Sequence, residues 1–200
     1  HGREHSFPTR RSSDLNLHSL GKALAGTGRE VRVETDPLAA LETDVLVLPG
    51  VGAFAPAAAR LAAARVPMRD AVLGGLPTIG ICLGMQLLFD TSEEGPGHGL
   101  GVIPGPVTRL AAARLPQIGW NALEGATDPM FAASGLTTAY YANSFACRPF
   151  DVGAVTAWST HERDRFPAAV RIGQCLGVQF HPEKSSRPGV NLLDHFLQHL

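Results

Sequence analysis

An α/β fold is what this sequence predicts: an open, mostly parallel sheet flanked by helices, with a mixed or antiparallel extension. Three observations predict it. Short continuous apolar runs of strand length, "DVLVLPG" and "PTIGIC", read as strands buried on both faces. Alanine-rich or amphipathic helical stretches alternate with them. Beyond about residue 95 the texture changes to short β-like pieces punctuated by Gly and Pro.

In chain order, residues 1–15 ("HGREHSFPTRRSSDL") show neither helical nor strand period. They read as a foreign segment, matching a translated sequencing adapter, and are expected to be irregular. The domain is expected to span 16–200. From Asn16 a helical pattern places Leu17, Leu20, Ala23 and Leu24 on one face, and Gly26 and Gly28 stop it. "REVRVETD" alternates like a short strand, and "LAALETD" reads as a short helix. "APAAARLAAARVPMRDAVLGG" is helical with a break expected near Pro67, and "LGMQLLFDTSEE" is a helix. "GVIPGPVTRL", "TAYYANSFAC", "VGAVTAWST" and "AAVRIGQCLGVQF" supply the extension, and "GVNLLDHFLQHL" closes as an amphipathic helix.

Composition narrows the function. The chain has 200 residues, 44% of them hydrophobic, enough for one core. A formal charge of -1 without runs of like charge gives no basic surface for nucleic acid or membrane. No apolar stretch approaches bilayer length, and no secretory leader is legible. Three scattered cysteines form neither a disulfide framework nor a zinc knuckle, which reads as a reducing cytoplasmic setting.

One cysteine stands apart. Gly80-Ile81-Cys82-Leu83-Gly84 is G-x-C-x-G between a strand and a helix, the nucleophile-elbow spacing with sulfur in place of oxygen. Glycines there permit a strained turn, the following helix start would favour thiolate, and the Leu83 amide could receive an oxyanion. A lone cysteine in an apolar run is as readily an inert core thiol. A thiolate nucleophile needs a base and an orienter. His181 and Glu183 in "GVQFHPEKS" project to the same side of an extended chain, so the carboxylate could brace the imidazole. A solvated surface His–Glu pair is the alternative. "VLPGVGAF" places a Gly-rich turn at a strand end, where the Val51 and Gly52 amides could complete an oxyanion hole.

Taken together, "PGVGAF", "GICLGMQLLF", "IGWN" and "QFHPEKS", in this order, resemble the class I (triad) glutamine amidotransferases. Within them they resemble the glutaminase branch belonging to imidazole glycerol phosphate synthases. The resemblance covers 16–200. It implies attack of Cys82 on glutamine's side-chain amide, with His181 and Glu183 as its partners, a γ-glutamyl thioester, and ammonia passed to a (β/α)8-barrel cyclase of histidine biosynthesis. It implies no metal and no organic cofactor. By the same resemblance Gln86, Glu94, Ser144 and Phe145 bind substrate, and Asn16, Trp120, Tyr140 and Lys184 meet the cyclase. A stand-alone cysteine amidase of the same fold is the alternative. Three departures are visible. The family's opening strand is not legible, and Gln117 and Asn143 stand where the family often has histidine. Neither amide titrates near neutral pH.

Overall fold

The computed structural model describes the backbone of residues 12–200 and the side chains of 17–200. Helix α1 is Ser12–Ala25. It begins four residues before Asn16, so the segment expected to be irregular is helical over residues 12–15, while residues 1–11 lie outside the described residues. The main sheet has five strands in the order β1-β2-β10-β9-β8. Strands β1 (Leu46–Leu48), β2 (Thr78–Ile81) and β10 (Cys175–Val178) run parallel, in the register Leu48↔Gly80 and Gly177↔Gly80. Strands β9 (Asp164–Ile172) and β8 (Val155–His161) continue the sheet antiparallel. The expected parallel core with an antiparallel extension is therefore present.

Strand alternation divides the core between two faces. Ile79, Ile81, Leu176 and Val178 pack with Leu20 and Leu24 of α1 and with Leu192, Leu193 and Phe196 of α6 (Ser186–Gln198). On the opposite face, Leu46, Leu48 and Cys175 pack with Met68 and Val72. Both methionine and valine belong to α3 (Arg65–Leu73), which follows α2 (Phe54–Leu61). The break between those helices is a 3-10 turn at Ala62–Ala64, earlier than expected. Pro67 falls in the first turn of α3, where its missing N–H leaves no intrahelical bond unmade.

Three of the expected elements form differently. Residues 29–34 form no strand, although they alternate, and Val33 is 67% exposed. Among the described residues the outer edge of β1 has no strand partner, so that alternation has no ladder to join. A groove of about 650 Å³ lies between 29–34 and 42–47 instead. The helix expected from Leu83 to Glu94 is a single turn, α4 (Leu83–Gln86). The amides of Leu100, Gly101 and Val102 donate to the carbonyls of Leu87, Phe89 and Leu88, which helical N–H groups would otherwise occupy. "LAALETD" is likewise only a 3-10 turn at Ala39–Leu41.

Two small sheets complete the extension. Strand β4 (Pro106–Arg109) lies between β3 (Thr91–Ser92) and β7 (Phe145–Cys147). Strands β5 (Gln117–Ala122) and β6 (Thr138–Asn143) pair antiparallel around α5 (Pro129–Ser134), which Asp128 caps. Among the described residues no helix is long and apolar enough to cross a membrane.

The tightest approach joins β1 to α4. A Cβ on Gly84 would lie 1.9 Å from the Leu48 carbonyl oxygen. Gly84→Ala is expected to cost about 3 kcal/mol and to lower the thermal midpoint by roughly 10 °C. Gly21→Ala, on α1 with nothing within 4 Å of the added carbon, should instead raise it slightly. Calorimetric melts of the two variants check this.

Candidate active site

Strand β2 ends at Ile81, and the chain reverses through Cys82 at φ 52° and ψ -106°. A non-glycine residue with positive φ is strained by roughly 1–3 kcal/mol and persists only where its surroundings hold it. Here they do. The Cys82 amide donates to the Val178 carbonyl of β10 at 2.7 Å, and its carbonyl accepts from the Gln86 amide at 3.1 Å. A Cβ on Gly80 would lie 2.6 Å from the Gly84 carbonyl oxygen, so the turn closes only over glycine. The elbow that the spacing predicts is formed. Because α4 is one turn long, its dipole is small.

His181 lies just past β10. Its amide donates to the Tyr140 carbonyl at 2.8 Å. The Ser185 hydroxyl donates to the His181 carbonyl at 2.7 Å and accepts from the Tyr140 amide at 2.9 Å. Strand β6 thus pins the turn that carries the imidazole. His181 Nδ1 and Glu183 Oε1 lie 2.8 Å apart, with both side chains at most 3% exposed. The surface-pair alternative is excluded by that burial. Since Nδ1 faces the carboxylate, Nε2 is the ring nitrogen left free of Glu183 and available to Cys82. Burial works to lower the His181 pKa, but the bonds to Cys82 and Glu183 outweigh it and raise the pKa to about 9. The remaining cysteines differ. Cys175 is pushed up to about 12 and Cys147 well above its ordinary value, both by burial, as inert core thiols.

A cleft of about 720 Å³ opens over the sulfur. Val51, Gly52 and Leu83 line it, with Gly52 at φ 94° turning the loop after β1 toward Cys82. Gln86, Glu94, Ser144 and Phe145 line it as well. Glu94 also accepts from the Phe54 amide at 2.9 Å, which anchors it to the start of α2. Trp120, Tyr140 and Lys184 lie outside the cleft and come together on one surface. The Trp120 and Tyr140 rings meet edge-on at 6.3 Å, and Lys184 Nζ sits 5.6 Å over the Tyr140 ring. Trp120 is 55% exposed, so core packing does not explain it. The Asn16 side chain lies outside the described residues. Among the described residues no group of three or more His, Cys, Asp or Glu could hold a metal ion.

Gln179 is the residue that sequence reasoning passes over. It is fully buried, and its Nε2 lies 3.5 Å from Cys82 Sγ. The available signal was one amide inside the apolar run "CLGVQF". Gln117 and Asn143 face each other across β5 and β6, each with a buried carboxamide oxygen lacking a partner.

The elbow cysteine and the carboxylate-braced imidazole flank Gly50, where an added Cβ would lie 2.8 Å from Cys82 Cβ and 3.2 Å from His181 Cε1. A thiol, an imidazole and a buried carboxylate thus come together on a parallel-sheet scaffold, the arrangement that a nucleophile, its base and an orienter require. The family pattern described as "Glutamine amidotransferase class-I" matches residues 14–200, and the chain belongs to that family. Within it, the chain is 38% identical over 191 residues to the imidazole glycerol phosphate synthase subunit HisH of Microcystis aeruginosa, covering 92% of this chain and 90% of that one. To the subunit of the same name from Symbiobacterium thermophilum it is 44% identical over 186 residues, covering 89% and 86%. A crystal structure of a glutamine amidotransferase superposes with a TM-score of 0.70 at 23% identity, over 91% of this chain and 92% of that one, which bears on the fold.

The raised His181 pKa sets a pH dependence. The folded chain holds this proton more tightly than the unfolded chain, whose value is near 6.5. The stabilisation is fully present below about 6.5 and is lost as pH rises through about 9. Denaturant titrations should show stability falling across that window by up to about 1.4 kcal/mol per pH unit. His181→Asn should flatten that slope.

Proposed function

We propose that this chain is the glutaminase subunit of an imidazole glycerol phosphate synthase, releasing ammonia from L-glutamine for histidine biosynthesis. The observation that carries the reading is the buried Glu183–His181 pair turned onto the elbow Cys82, in a chain whose relatives bear that subunit's name.

Chemistry follows from the geometry. Cys82, paired with the imidazolium, attacks the carboxamide carbon of glutamine. The tetrahedral oxyanion is received by backbone N–H groups around Val51, Gly52 and Leu83. Leu83, as the first helical residue, has an amide without an intrahelical acceptor. His181 Nε2 delivers its proton to the leaving nitrogen, ammonia departs, and a γ-glutamyl thioester remains. His181 then takes a proton from water, which attacks the thioester, frees glutamate and regenerates Cys82. Glu183 keeps the ring oriented throughout and stabilises its charged form. Gln86 and Glu94 hold the α-amino end of glutamine, and the Ser144–Phe145 segment lines its far side. No metal or organic cofactor enters this half-reaction.

The partner is a (β/α)8-barrel cyclase, which receives the ammonia and forms imidazole glycerol phosphate and an aminoimidazole carboxamide ribonucleotide. Trp120, Tyr140 and Lys184, with Asn16, are the surface for it. Tyr140 and Lys184 support this assignment, because the same short turn that positions His181 also presents Lys184. The setting is cytoplasmic.

Cys82→Ala in complex with the cyclase is expected to lower glutamate release from glutamine by about four orders of magnitude or more, with the fold retained. A native complex that releases no glutamate overturns the reading. Full activity without the cyclase and without preference for glutamine would instead indicate a stand-alone cysteine amidase.

A further inference from the structure

Four groups between the substrate-lining segment and the nucleophile form one hydrogen-bonded line. The Phe145 carbonyl accepts from Gln86 Nε2 at 3.2 Å. Gln86 Nε2 donates its second hydrogen to Gln179 Oε1, also at 3.2 Å. Gln179 Nε2 in turn lies 3.5 Å from Cys82 Sγ. Gln86 is 5% exposed and Gln179 fully buried, so water does not compete along the line.

The direction of this line is forced. Carboxamide nitrogen and oxygen are interchangeable in shape, and only their partners tell them apart. A backbone carbonyl can only accept, so the Gln86 atom beside Phe145 must be its nitrogen. That nitrogen also faces Gln179, so the Gln179 atom meeting it must be oxygen. The Gln179 nitrogen is then left for the sulfur. A residue carrying an acceptor at both ends, such as glutamate, would break the line at Cys82.

We infer that Gln179 is a further functional residue of this site: its side-chain amide donates to Cys82 Sγ, in a direction set by the Phe145 carbonyl through Gln86. The inference rests on reading Cys82 as the nucleophile. The donated N–H favours the charged sulfur over the neutral one, since a hydrogen bond to an ionised acceptor is the stronger. It meets the sulfur from the protein interior, whereas the cleft opens over it. It also fills the place that the short α4 leaves open, because a one-turn helix supplies little dipole. A second consequence concerns Gln86. Its two amide hydrogens are committed to Phe145 and Gln179, so the hydrogen-bonding capacity it keeps is that of its oxygen, an acceptor suited to an ammonium group.

Two variants test this. Gln179→Glu keeps the acceptor for Gln86 and removes the donor to sulfur. Gln179→Met keeps the bulk and removes both, and it decides the matter if the glutamate variant does not fold. The readouts are glutamine turnover by the complex with the cyclase, and the rate of Cys82 alkylation by iodoacetamide in the full chain near neutral pH. Cys147 and Cys175 are at most 1% exposed, so alkylation of the folded chain reports Cys82. Turnover number is expected to fall about tenfold, with KM changed by less than about threefold. Alkylation should slow by about fivefold or more. Alkylation within about twofold of native overturns the inference, whatever turnover does, because the loss would then lie away from the sulfur. Native protein that is inert toward glutamine, yet whose alkylation slows in the variants, would sink the glutaminase reading and leave this inference standing.

Discussion

The positive φ at Cys82 is the constraint on which the rest of the molecule depends. No L-residue other than glycine rests comfortably at φ 52° and ψ -106°. The conformation is held from three directions. Strand β10 accepts the Cys82 amide, α4 takes its carbonyl, and β1 presses its Leu48 carbonyl against Gly84. The parallel core β1-β2-β10 is therefore also the clamp that keeps the sulfur at the C-terminal end of β2.

The imidazole is held by a different part of the molecule. Tyr140 of β6 accepts the His181 amide through its carbonyl, and its own amide bonds to Ser185. The outward side of the same residue pairs with Trp120 and Lys184. The proposed catalytic turn and the proposed cyclase surface thus share one backbone segment. Tyr140 therefore links that surface directly to the peptide that holds the imidazole. The amide line through Gln86 and Gln179 approaches the sulfur from the other side, starting at the Phe145 carbonyl. The proposed nucleophile, base and substrate-lining segment are therefore carried by separate elements that converge on one cleft.

The main features of the site were legible in the chain, and the misses have physical causes. Buried parallel strands read as short apolar runs, because both faces are covered, and β1, β2 and β10 are where such runs stand. The alternation of 29–34 is a good strand pattern without a neighbour, and a strand is a property of a ladder. The long helix after Cys82 is cut to a single turn by amides from residues 100–102, which no local pattern announces. Gln179 was passed over because one polar residue in an apolar run carries no period. Its partners lie 93 and 97 positions away in the chain.

By itself, then, the sequence determined the α/β class, the elbow with its two glycines, the His181–Glu183 spacing and the Gly-rich loop at Val51–Gly52. All are encoded within a few neighbouring residues, where steric limits and side-chain periodicity act directly. Only the tertiary structure decided that the His–Glu pair is buried and not solvated. The same is true of the electrostatics at the sulfur, where Gln179 adds a donor to what a one-turn α4 supplies. Those outcomes depend on burial and on hydrogen bonds between segments far apart in sequence, and neither is set until the sheet has brought them together.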